Sequence, residues 1–261
     1  MNNANRFDLM TDTSAELAEE DRVHRIPPTS NQPALKSTLA NMGSLPGEAL
    51  FLGIAEDGLP VLLNLYDPVP GPILIIGDQG CGKTSLLQMI ASAAEYLHTP
   101  AKLQYGVITP HLNEWDHLQN SKINAGIYSV NDTATPELLQ SLVTWAHNNK
   151  GDQQSILLLI DNLEEVIKIS DQAEQNLRFL LLRGPSRRVW PIITLNASHS
   201  KELNDWMEFF HTRFFGHIQN SDEAQLATGI SNASLQSLTS GSQFSMREGD
   251  KWLKFRAASL D

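Results

Sequence analysis

The chain has one cysteine among 261 residues. No disulfide can form within it, and a reducing, cytoplasmic compartment fits that usage. No stretch approaches the roughly 18 consecutive apolar residues that a membrane span needs, so no membrane partner is expected. The first ten residues, MNNANRFDLM, lack a cationic start followed by an apolar run and do not read as a secretory signal. Basic residues are scarce: 19 Lys and Arg stand against 30 Asp and Glu, for a formal net charge of −11. That balance disfavours a monomer that coats DNA or an anionic membrane by bulk charge, while leaving room for a local basic patch or a ring with a basic pore. The eight histidines show no H-x-x-x-H or comparable spacing, so no zinc site is expected. Aromatic residues make up 7%, and the five tryptophans are scattered, which suits core or interface positions better than a base-stacking platform. No internal repeat is visible. The 41% hydrophobic content is enough for one sizeable core.

Residues 1–45 are rich in Asn, Ser, Thr, Pro and Glu, with a Pro27-Pro28 pair and no sustained period. They read as a flexible tail, or as an arm that docks a protein partner, with two helical turns over Glu16 to Arg22. Residues 46–261 read as one domain. ALFLGIA (49–55) and PVLLNL (60–65), separated by a turn containing Asp57-Gly58, form a hairpin. PILIIG (72–77) is a strand buried on both faces. Thr84 to His98 is a helix, with Leu86, Leu87, Ile90, Ala94 and Leu97 on one side. LQYGVIT (103–109), AGIYSV (125–130), SILLLID (155–161), WPIITLN (190–196) and RFFGHIQ (213–219) read as further strands. Helices are expected over Pro136 to Asn148 with Thr135 as N-cap, Asp171 to Arg183 with a stop at Gly184-Pro185, Glu202 to Phe210, and Ser221 to Thr228 opened by Ser221. QFSMRE (243–248) and KWLKFRA (251–257) close the chain as a second hairpin. Strands alternating with helices predict an α/β fold with a mostly parallel central sheet flanked by helices.

GDQGCGKT (77–84) fits G-x-x-x-x-G-K-[ST] and falls between a buried strand and a helix, where a phosphate-binding loop must lie. The candidate nucleotide-binding residues are Gly77, Asp78, Gln79, Gly80, Cys81, Gly82, Lys83, Thr84 and the following Ser85. The glycines let successive N–H groups turn inward around a phosphate, and the helix N-terminus adds its dipole. Lys83 would reach the β- and γ-phosphates of ATP, and Thr84 would ligate Mg²⁺. Asp161, ending the apolar run SILLLI, supplies the second metal-side acid. The next residue is Asn162, which can hydrogen-bond but cannot act as a base. Glu164 and Glu165 follow; either swings toward the γ-phosphate, or both form the solvated, acidic start of a helix. Arg183, Arg187 and Arg188 form the only dense basic cluster. A kinase reading is disfavoured by the lack of an Arg-rich lid insertion.

The order of these segments resembles the FtsK/SpoIIIE–HerA branch of P-loop ATPases, including the partly degenerate tandem ATPase domains of type VII secretion proteins. LGIAEDGLPVLLNL (52–65) resembles that family's lead-in to the P-loop strand. RGPSRRVWPIITLNAS (183–198) resembles its sensor segment, and HTRFFGHIQNSDEAQLATG (211–229) the stretch after it. The resemblance implies a RecA-like fold, ATP and Mg²⁺ as ligands, and a homo-oligomeric ring that moves or gates DNA or a protein substrate. It places Asn196 where the family has its sensor glutamine, and Arg213 where an arginine acts on a neighbouring subunit's nucleotide. The departures are Thr109-Pro110-His111, Asn162 and Asn196-Ala197-Ser198. They imply slow turnover, or a nucleotide-binding switch that docks a partner.

Overall fold

A computed structural model describes residues 32–149, 154–248 and 251–260. Among them, ten strands form one sheet: β1 (Ala49–Ala55), β2 (Pro60–Asn64), β3 (Ile73–Gly77), β4 (Leu103–Thr109), β5 (Asn124–Ser129), β6 (Ser155–Ile160), β7 (Val189–Asn196), β8 (Thr212–Phe215), β9 (Gln243–Glu248) and β10 (Lys251–Arg256). Their order is β2-β1-β10-β9-β8-β3-β7-β6-β4-β5. From β8 to β5 every neighbouring pair is parallel. The two hairpins join each other through β1 and β10, and join β8 through β9, as an antiparallel wing on the same sheet.

The central strands are continuous apolar runs because both their faces are covered. Alternation divides each run between two cores. Ile73, Ile75, Leu157, Leu159 and Ile192 face one core with Leu86, Leu87 and Ile90 of α2 (Lys83–Leu97). Leu74, Ile76, Leu158, Ile160 and Ile193 face the other, with Leu139 and Leu142 of α3 (Ala134–Asn148) and Leu177 and Leu180 of α5 (Asp171–Arg183). The short helix between β6 and α5 is α4 (Leu163–Val166).

Several expected elements differ in detail. Residues 34–41 lie in the expected tail, yet α1 (Leu35–Asn41) is packed there with Leu35 and Thr38 buried, and Ala34 bridges to Ser259. Residues 1–31, including Glu16 to Arg22, lie outside the described residues. Thr135 does not cap α3; it is buried inside the helix start, where its hydroxyl donates to the Ser129 carbonyl. The expected helix over 202–210 is reduced to α6 (Asn204–Met207). The last helix, α7 (Ser221–Thr228), is capped by Asn220, whose side chain accepts from the N–H groups of Asp222 and Glu223, and not by Ser221. Strand β8 ends at Phe215 because residues 217–219 leave the sheet to hold the loop that follows β3: Asp78 N–H donates to the His217 carbonyl, and Gln219 N–H to the Asp78 carboxylate.

Candidate functional site

The loop from Gly77 to Gly82 leaves the carboxyl end of β3 and enters α2 at Lys83. Gly80 and Gly82 hold φ of 78° and 97°, the left-handed region that favours glycine. Gly82 carries a second constraint. A Cβ there would lie 2.6 Å from the Gly241 carbonyl oxygen, because the turn before β9 packs on the loop and Gly241 N–H donates to the Cys81 carbonyl at 2.9 Å. Cys81 is buried, with its sulfur filling the space beside Gly77 and Gly216. Burial pushes its thiol pKa up, against the lowering pull of Lys83. Asp78 pins the loop to residues 217–219, whereas Gln79, Gly80 and Ser85 are exposed.

Sheet order sets what faces the loop. Strand β7 lies between β3 and β6, with Asn196 paired to Gly77 and Ile193 to Ile160. The carboxyl ends of three strands therefore bring Lys83, Thr84, Asp161, Thr194, Asn196 and Glu164 together. The Thr84 hydroxyl donates to Asp161 Oδ2 at 2.6 Å, and the Thr194 hydroxyl donates to Oδ1 at 2.6 Å. Lys83 Nζ donates to the carbonyls of Gly77 and Asp78 at 3.0 and 2.8 Å and to Asn196 Oδ1 at 2.9 Å. Asn196 Nδ2 donates to Glu164 Oε1.

Glu164 is 4% exposed and so is no solvated helix start. Burial drives its pKa up, and the donors of Asn196 only partly offset this. Glu165 does fit the solvated reading: it pairs with Lys168 at the surface. Asn162 is the N-cap of α4, its Oδ1 accepting from Glu165 N–H at 3.1 Å. Position 162 thus holds a capping residue while a carboxyl two residues on occupies the site.

Two expected groups are placed elsewhere. The Arg213 guanidinium donates to the carbonyls of Phe210, Ala227 and Met207, so its donors clamp the segments around α6 and α7. Arg188 donates to Ser155 and stacks on Tyr66 at 3.8 Å, and Arg187 donates to the Asn149 carbonyl. These contacts lie at the amino ends of β6 and β7, opposite the loop. Thr194 is the site residue that sequence reasoning missed. Its signal is a hydroxyl in an otherwise apolar buried strand, two residues before Asn196 and therefore on the same face.

Thr84 and Asp161 present adjacent hard oxygen donors, the set that Mg²⁺ takes. Among the described residues no group of three or more His, Cys, Asp or Glu could cage a metal. Among the described residues no helix is long and apolar enough to cross a membrane.

A glycine-rich loop between strand and helix, its lysine, and a hydroxyl-bearing residue bonded to an acid at the end of a buried strand define a P-loop NTPase. Residues 56–230 match the family described as Novel STAND NTPase 1, and the chain belongs to it. No curated protein matches the sequence. Among solved structures, EccC (ATPases 2 and 3) of Thermomonospora curvata, in complex with a signal sequence peptide, is similar over 91% of this chain and 44% of its own, with 17% identity and a TM-score of 0.66. EssC (ATPases 2 and 3) of Geobacillus thermodenitrificans is similar over 90% and 48%, with 15% identity and a TM-score of 0.68. The pCW3 conjugation coupling protein TcpA, in its monomer form with ATPγS, is similar over 90% and 71%, with 15% identity and a TM-score of 0.69. The chain spans less than half the length of the EccC and EssC chains. The resemblance to secretion ATPase domains holds at the level of the fold, that of a RecA-like P-loop domain.

Proposed function

We propose that this protein binds Mg·ATP at residues 77–85 and hydrolyses it slowly. The observation that carries the reading is the 2.6 Å bond between the Thr84 hydroxyl and Asp161, beside Lys83 on a glycine-rich loop. Lys83 would bind the β- and γ-phosphates, and the loop N–H groups would surround them. Thr84 and Asp161 would hold Mg²⁺, which neutralises charge on the phosphate oxygens when bound. Glu164 would orient the attacking water. Its burial raises its proton affinity above that of a free carboxyl, the direction that favours a general base.

The same proposal extends to a homo-oligomer, a ring, that couples turnover to movement or gating of DNA or a protein substrate; the fold shared with secretion and conjugation ATPases supports it. Three of the five Arg213 N–H donors meet carbonyls, which weighs against its acting on a neighbouring subunit's nucleotide. A nucleotide-binding switch with little turnover is the second reading, favoured by the capping role of Asn162. Calorimetry with Mg·ATP, steady-state turnover with and without double-stranded DNA, and solution mass with and without nucleotide test these readings. Lys83→Ala is expected to abolish affinity in a folded protein, since the lysine acts as a point charge on phosphate. Unchanged binding by that variant would overturn the assignment.

A further inference from the structure

Asn196 stands between two charged side chains. Its Oδ1 accepts from Lys83 at 2.9 Å. Its Nδ2 and, at 3.3 Å, its backbone N–H donate to Glu164 Oε1. One orientation of the amide serves both neighbours; the reverse would set its NH₂ against the ammonium and its oxygen against the carboxylate. The three donors of Lys83 meet three neutral oxygens, two of which are backbone carbonyls fixed in the loop. Asn196 is the one partner that can turn away. The second carboxyl oxygen of Glu164, Oε2, is buried with no hydrogen-bond partner, so this side chain is held by a single oxygen.

We propose that Asn196 is a positioning residue that couples Lys83 to Glu164: it restrains the carboxyl while Lys83 is bonded to it, and releases the carboxyl when Lys83 turns to a phosphate. This rests on the Mg·ATP reading above. Phosphate oxygens are charged acceptors, whose bonds are roughly twice as strong as those of neutral ones, so they draw Lys83 from the amide. A cation on Oδ1 polarises the amide and strengthens Nδ2 as a donor. When Lys83 leaves, the grip of Nδ2 on Glu164 weakens, and the carboxyl is free to accept from a water.

The test has two arms. In the first, NMR follows the Asn196 side-chain amide of the nucleotide-free protein. Its signals are expected to move on Glu164→Gln, which replaces the charged acceptor, and again when a non-hydrolysable ATP analogue binds with Mg²⁺. If calorimetry shows the analogue bound and the signals stay in place, the coupling is overturned while the Mg·ATP reading stands. If the analogue does not bind, that reading fails and the coupling with it. In the second arm, Asn196→Ala should leave Kd for Mg·ATP unchanged or tighter, because Lys83 loses a competing partner, while kcat rises, because the carboxyl is no longer held back between turnovers. A merely structural asparagine would weaken binding and turnover together. That result, or no rise in kcat, overturns the proposal.

Discussion

The Thr84 hydroxyl donates to Asp161 across 77 positions of sequence, at 2.6 Å, and ties the start of α2 to the end of β6. Thr194 donates to the other oxygen of the same carboxylate. Asp161→Asn keeps the shape, and either hydroxyl can rotate to accept from the new amide, so the protein is expected to fold. The negative charge that attracts a hydrated Mg²⁺ is gone. Calorimetry with Mg²⁺ and with EDTA should show the metal dependence of nucleotide binding collapse in the variant. Equal metal dependence in parent and variant would remove Asp161 from the metal side of the site.

Asn162 and Glu164 separate capping from chemistry. Asn162→Glu removes a cap acceptor from α4, worth about 0.5–2 kcal/mol. It is expected to lower unfolding stability by roughly that amount without raising turnover. Glu164→Gln is expected to cut turnover by ~10²–10⁴-fold, the range for a positioned base. From the sequence alone both outcomes are open, because either Asn162 stands in place of the catalytic acid or Glu164 or Glu165 has taken that role. Steady-state rates of the two variants decide the matter, and a faster Asn162→Glu protein would return the catalytic role to position 162.

The parts of this fold that one stretch of sequence dictates were legible in it. The glycine pattern at 77–82 needs no distant partner to be recognised, and the unbroken apolar runs at 73–76 and 156–160 announce strands covered on both faces. What tertiary contacts decide was not legible. The carboxyl of Glu164 faces the site and that of Glu165 faces water, although both are acids in the first turn of a short helix. The end of β8 is set by the hydrogen bonds of residues 217 and 219 to Asp78, not by any breaker in RFFGHIQ. Helix α1 carries few apolar residues and is held by packing and by the segment 257–259. Arg213 matched a functional pattern, yet three carbonyls around it accept its donors.

Gly80 and Gly82 share a left-handed conformation and differ in their surroundings. A Cβ at Gly80 meets open space, whereas at Gly82 it meets the Gly241 backbone. Gly80→Ala should therefore cost about 1–2 kcal/mol, the price of the left-handed region alone. Gly82→Ala must also push the 239–242 turn away, and is expected to cost more and to weaken nucleotide binding. Urea unfolding and calorimetry on both variants check the order. Equal losses would mean that the turn yields freely.

The last expectation concerns pH. Burial raises the Glu164 pKa above its reference value of 4.5. Between the unfolded and folded values the native protein holds a proton that the unfolded chain has released. Stability from this group is therefore fully present below about pH 4.5 and is lost as pH rises through the folded value. Glu164→Gln removes the titration while its side-chain oxygen can still accept from Asn196. Relative to the parent, the variant should gain stability as pH rises from 4 toward 8, and the gain should level off once the native carboxyl has ionised. Urea titrations of both proteins across that range, compared as differences, cancel the other titrating groups. A difference that instead grows in favour of the parent would mean that the ionised Glu164 is stabilised in the fold, with Lys83 acting through Asn196 as its counter-charge.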